Sequence, residues 1–136
     1  MQIILGQIVG QHPQTGAFIV NPSLVKLAAM DLPSKQAYWL KRIVKAAESE
    51  VRQAEEVRVQ LVKKYGEEGE GGIIVVNTEN TEAFTGELNE MLEAEIDLPG
   101  DGVTLESLGD IKLSAIDLMK LDWLITDEAK AATAGA

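Results

Sequence analysis

The only histidine, His12, stands in the run Gly10-Gln11-His12-Pro13-Gln14-Thr15-Gly16. General acid–base chemistry by an imidazole needs a partner side chain and a pocket. A run so rich in turn formers offers neither, so His12 reads as a solvated turn residue. The acidic residues are the other candidates. Glu67, Glu68 and Glu70 alternate with glycines in Gly66-Glu67-Glu68-Gly69-Glu70-Gly71-Gly72, and Asp97 and Asp101 flank Pro99-Gly100. Neither set has the ligand spacing of an EF-hand calcium loop. The glycines are not a phosphate loop either, because no Gly-Lys-Ser/Thr follows and acids fill the intervening places. There is no Gly-x-Ser-x-Gly elbow, and a Ser/His/Asp triad would have to recruit the turn residue His12. Carboxylate pairs suited to glycoside hydrolysis can be drawn from any chain this acidic. A helical hairpin with few aromatics, however, gives a sugar little cleft. Without cysteine there is no thiolate nucleophile, disulfide or Cys-based zinc site. The sequence therefore assigns no catalytic, cofactor-binding or metal-binding residue, and an enzyme is the least favoured class.

The elements that would carry such groups are dominated by one helix, expected over residues 33 to 65. It takes about a quarter of a 136-residue chain, and at about 1.5 Å per residue it runs about 50 Å. Leu40, Ile43, Ala47, Val51, Ala54, Val57, Leu61 and Tyr65 advance by threes and fours, the period of an amphipathic helix. Ala46, Ala47 and Ala54 narrow that stripe and invite another helix to approach closely. Glu48 and Arg52 are expected to pair across the outer face, where Glu55 also falls.

Around it the expected architecture is mainly α with small β elements, an α+β class in one domain. Residues 1–21 form an N-terminal β-hairpin, with strands at 2–9 and 17–20 around the His12 turn. Residues 22–66 hold a short helix, capped by Asn21 with Pro22 in its first turn, and then the long one. Residues 67–128 are an acidic segment. It begins with the strand-like Ile73-Ile74-Val75-Val76. A helix follows from 82 to about 95, opened by Asn80-Thr81, with Phe84, Leu88, Met91 and Leu92 on one face. This helix should fold back on the distal half of the long one as a helical hairpin. Small strands are expected at 103–105 and 110–113. A final helix then starts at the capping-box-like Ser114-Ala115-Ile116-Asp117 and carries Ile116, Leu118, Leu121, Leu124 and Ile125, with Trp123. The Ala-rich tail, 129–136, should pack against something.

Charge narrows the partners. The net charge of −10 opposes binding to a phosphate backbone. Between Lys26 and Lys64 stand nine of the twelve Lys and Arg residues, whereas between Lys64 and Lys112 there are none. The long helix is thus basic and the segment after it acidic. Either the two neutralise each other within the chain, or the acidic face steers a basic partner. No apolar stretch approaches the length of a membrane helix, and the first residues do not read as a secretory signal. Trp39 and Trp123 stand out among few aromatics, as core anchors or as an interface hot spot. Trp39, Ile43, Val51, Leu61 and Trp123 are the residues expected to pack or to meet a partner.

Four segments carry a resemblance. They are Leu27-Ala28-Ala29-Met30-Asp31-Leu32-Pro33-Ser34-Lys35-Gln36-Ala37-Tyr38; Leu61-Val62-Lys63-Lys64-Tyr65-Gly66; Phe84-Thr85-Gly86-Glu87-Leu88-Asn89-Glu90-Met91-Leu92; and Ile111-Lys112-Leu113-Ser114-Ala115-Ile116-Asp117-Leu118 running into Leu121-Asp122-Trp123-Leu124-Ile125. In order and spacing they resemble an uncharacterised family of small tailed-bacteriophage proteins, over about residues 24–126. The resemblance implies a non-enzymatic virion structural or assembly protein, made in the host cytoplasm. Its partners would be other virion subunits or further copies of itself, with no cofactor, nucleic acid or membrane. The alternatives are a phage-encoded factor that occupies a host protein and a transient assembly chaperone.

Overall fold

The computed structural model of the chain describes residues 1–126, so the expectation for the tail at 129–136 lies outside the described residues. The class is α+β, with about half of the chain helical and the strands in small pairs. In chain order the elements begin with β1 (Gln2–Ile4), β2 (Val9–Gln11), β3 (Phe18–Val20), α1 (Pro22–Ala28) and α2 (Ser34–Tyr65). They continue with β4 (Gly66–Glu68), β5 (Ile74–Val76), α3 (Thr81–Leu92), β6 (Glu95–Asp97), β7 (Val103–Thr104), α4 (Ala115–Lys120) and β8 (Ile125–Thr126).

Helix α2 organises the rest. Pro33 stands just outside it as N-cap residue, and Gly66 ends it in extended conformation behind Lys63 and Lys64, which complement the negative end of the helix dipole. Its 32 residues span about 48 Å. Leu40, Ile43, Ala47, Val51 and Ala54 are buried, and beyond Ala54 no residue of the helix is. Onto that stripe close Leu5, Ile8 and Phe18 from the N-terminal segment, Leu24 and Leu27 from α1, and Leu98, Leu108, Leu121 and Leu124 from the acidic half. The distal continuation expected at Val57 faces outward. Leu61 and Tyr65 are half-buried.

The expected N-terminal hairpin exists but is shorter and displaced. Residues Leu5–Gln7 turn as a 3-10 helix and split the predicted strand at 2–9. Its first part, β1, pairs antiparallel with the distant β6, and only β2 pairs with β3. It is β3 that crosses the alanine-narrowed middle of α2, since the Phe18 N–H donates to Glu55 Oε2 at 2.6 Å. Glu55 is therefore not on the outer face. Its carboxylate also takes the Arg58 guanidinium bidentately, at 2.6 and 2.7 Å. The expected Glu48–Arg52 pair is not among the ion pairs of the described residues.

Helix α3 returns along the distal part of α2. Asn80 Nδ2 donates to the Tyr65 carbonyl at 3.0 Å and Lys64 lies 3.5 Å from Glu87, while Leu92 reaches Gly6 at the other end. The helix stops at Leu92 rather than near 95, because Glu95–Asp97 leaves to pair with β1. The glycine-rich run read as a bare turn instead contributes β4, paired with β5 in a hairpin at the far end of α2. A Cβ at Gly66 would collide with the Val62 carbonyl and lie 2.6 Å from Ile74 Cγ2. The Gly66→Ala variant should accordingly lose roughly 1–3 kcal/mol, read as a lower urea midpoint with an unchanged slope.

The C-terminal reading needs the largest correction. Residues 110–113 form no strand, and the final helix covers only Ala115–Lys120. After it the chain turns, and Ile125–Thr126 pairs in parallel with Val103–Thr104. Ile116 is 64% exposed, and Leu118 and Ile125 are half-buried. Leu121 and Leu124 are fully buried.

Candidate functional site

Polar side chains converge most densely where α1 meets α4. Asn21 caps α1 by accepting from Ser23 N at 3.0 Å, and its amide donates to the carbonyls of Gln7 and Lys120, each at 3.0 Å. Ser114 caps α4 as the sequence suggests, accepting from Asp117 N at 3.0 Å. The reciprocal half of a capping box is missing. Instead the Asp117 carboxylate reaches α1, accepting from Ser23 Oγ at 2.8 Å and Lys26 Nζ at 2.6 Å. Composition puts Ser23 and Lys26 one helical turn apart, a spacing known from serine nucleophiles with a lysine base. Here both groups are spent on the aspartate and Ser23 is buried, so the hydroxyl has neither a free base nor access to a substrate. This cluster is a clasp between two helices.

The Lys26 ammonium, and after it the Ser23 hydroxyl, hold the Asp117 carboxyl well below the usual carboxylate range, against the opposing effect of burial. A depressed folded-state value means that the clasp contributes fully above the unfolded-state value of about 3.9. That contribution is lost as pH falls below it. Asp117→Asn should therefore lower Tm at pH 7, and the gap to the parent chain should shrink between about pH 4 and pH 2. Thermal melts across that range check the sign. Glu55 is lowered in the same direction, chiefly by its hydrogen bonds from Arg58.

A second feature is a cleft of about 400 Å³ beside the start of α2. Lys35 and Trp39 form one wall and Asp101, Thr104 and Ser107 the other, over the backbone of Gly100 and Gly102. Gly102 is left-handed, at φ +92°, and a Cβ there would lie 2.9 Å from the Leu124 carbonyl. The hydroxyls are engaged locally: Ser107 N donates to Thr104 Oγ1 at 3.2 Å and Ser107 Oγ to the Thr104 carbonyl at 2.7 Å. The cleft offers an aromatic face with one cation and one carboxylate at its rim. Its lining brings no nucleophile together with a base.

The residues expected at a partner surface do not come together. Ile43, at 1% exposure, and Val51 are inside the core, so both pack the fold and neither can touch a partner. Trp39 is half-buried at the cleft, with the Arg42 guanidinium 5.0 Å from its ring. Leu61 is half-buried on the distal part of α2, and half-buried Trp123 donates from Nε1 to the Lys120 carbonyl at 2.9 Å. His12 is in its predicted turn, where Nδ1 accepts from the backbone N–H groups of Gln14 and Thr15 at 3.2 and 3.3 Å. Asp97 accepts from the Met1 amino group at 3.1 Å, far from the Glu67, Glu68 and Glu70 hairpin. Among the described residues no group of three or more His, Asp or Glu is placed to hold a metal ion. No helix among them is long and apolar enough to cross a membrane.

No family model, curated protein or solved structure matches this chain. Its surface must speak for it.

Charge is unevenly spread over the surface, with the exposed Lys63 and Lys64 of α2 standing beside the acidic hairpin. Lys35, Lys41, Arg42 and Lys45 are exposed on the first third, with Tyr38 57% exposed among them. At the other end the β4–β5 hairpin exposes Glu67, Glu68 and Glu70 together with Ile73 and Val75. The sequence located the charges by segment. It missed the clasp at Asp117, whose only local sign was an acid three residues after a capping serine.

Proposed function

We propose that this chain is a non-enzymatic bacteriophage structural or assembly protein that binds other virion subunits through helix faces and an acidic surface. The observation that carries the reading is that α2 outruns the fully buried core: past Ala54 its residues are at most half-buried, and a glutamate-rich hairpin departs from its end. A rod that reaches beyond the core that holds it is suited to joining subunits. The polar clusters support the same reading, since Ser23, Lys26, Asp117, Glu55 and Arg58 are all spent on holding elements together. The likeness of four ordered segments to a tailed-phage family supplies the setting. Mass spectrometry of purified particles and assembly intermediates tests it. Several copies per particle are expected, and absence from both would overturn the proposal.

One observation favours a second reading, a factor that occupies a host protein. From Lys64 to Lys112 the chain carries no cation, and a run of exposed carboxylates can occupy a basic groove. Affinity capture from uninfected host lysate would then recover one host protein reproducibly. A transient assembly chaperone would instead be present during infection and missing from the finished particle.

A further inference from the structure

We propose that copies of this chain associate head to tail, the basic face at the start of α2 of one copy seating the β4–β5 hairpin of the next. On α2, Lys35, Tyr38, Arg42 and Lys45 recur at spacings of three and four, so they form one stripe, and all four are exposed. The stripe lies opposite the buried Leu40, Ile43 and Ala47. Arg42 stands over both neighbouring rings, 5.9 Å from Tyr38 and 5.0 Å from Trp39. The face is therefore cationic with an aromatic centre.

The hairpin is its complement. Val75 lies directly across from Glu67, and cross-strand neighbours share a face. Ile73 and Val75, two residues apart, share that face too, and they are 65% and 58% exposed. Glu70 follows in the connecting turn. An apolar pair edged by carboxylates matches an aromatic edged by cations, both in charge and in contact.

The two surfaces cannot satisfy each other within one chain. From Arg42 to Tyr65 the helix axis rises about 35 Å, and the hairpin departs from the far end. Each copy thus carries one knob and one seat at opposite ends of α2. A contact between unlike surfaces is heterologous, and its repetition gives a ring if the rotation closes and a filament if it does not. Both halves of the match are present on this chain, so a second copy is favoured over nucleic acid, which the net charge of −10 repels. The inference rests on the assembly reading above.

Sedimentation velocity and light scattering on the full chain test it. Association should weaken at least tenfold between about 0.05 M and about 0.5 M salt. Lys35→Glu/Lys45→Glu alone, and Glu67→Lys/Glu70→Lys alone, should each be monomeric, with circular dichroism confirming a native fold. Mixed together, the two variants should associate again, because each reversed face then meets an opposite one. A parent chain that stays monomeric up to about 1 mM would overturn the proposal. So would association that survives both reversals, or folded variants that fail to associate on mixing. Salt-dependent binding of a labelled oligonucleotide by a monomeric parent, abolished in Lys35→Glu/Lys45→Glu, would reassign the face to nucleic acid. The outcomes separate from those of the assembly reading: a monomer found in particles refutes only the self-contact, whereas an oligomer absent from particles and intermediates refutes only the virion role.

Discussion

Replacing Ile43 by alanine should lower folding stability by about 2–5 kcal/mol. The side chain is 1% exposed in the stripe where α2 meets the buried leucines of the acidic half. Truncation removes apolar contact and leaves a cavity that a packed helix cannot collapse. Urea titration followed by far-ultraviolet circular dichroism reads the effect. Tyr38→Ala, five residues earlier but on the opposite face, should stay within about 0.5 kcal/mol of the parent. Equal losses at the two positions would mean that the packing around α2 is misassigned.

Asn21→Asp should be at least as damaging, by roughly 3–5 kcal/mol, although aspartate is among the best N-cap residues. The new carboxylate still accepts from Ser23 N. Its second oxygen, however, replaces the amide that donates to the carbonyls of Gln7 and Lys120. Two acceptors then lose their donor and face a third oxygen, in a site that is buried. Asn21→Ala loses the cap and both donors but introduces no repulsion, so the acid should be worse than alanine. The reverse order, from thermal melts of both variants at pH 7, would show that capping outweighs the tie between the three segments.

What the sequence made legible is what local physics decides. Pro33 and Gly66 punctuate α2, and the 3.6-residue rhythm between them gave its boundaries and the buried positions from Leu40 to Ala54. The rhythm misled past Ala54, because Val57 continues it on paper while Arg58 and Glu55 turn inward as a bonded pair. Charged residues can do that only when the partner is close enough to satisfy them, a fact absent from a periodicity count. Pairings across long separations were also hidden. Gln2–Ile4 finds its neighbour at Glu95–Asp97, and within residues 2–9 Gly6 is the one local sign of the break at Leu5–Gln7. At the C-terminal side, Leu118, Leu121 and Ile125 carry helical spacing, yet Val103 N donates to the Leu124 carbonyl at 2.9 Å and draws the segment into a strand pair. Of the residues expected to meet a partner, burial removed Ile43 and Val51. Chemistry alone could not have done so, because an apolar stripe looks the same whether its cover is intramolecular or not.

The lopsided burial of α2 makes the molecule a cantilever. Amide protons between Leu40 and Ala54 should exchange with solvent only through global opening, while those past Arg58 exchange through cheaper local fraying. A load applied at the glutamate-bearing tip would thus bend or unwind the last turns before it disturbs the anchored end. Elasticity is placed at one end of each copy.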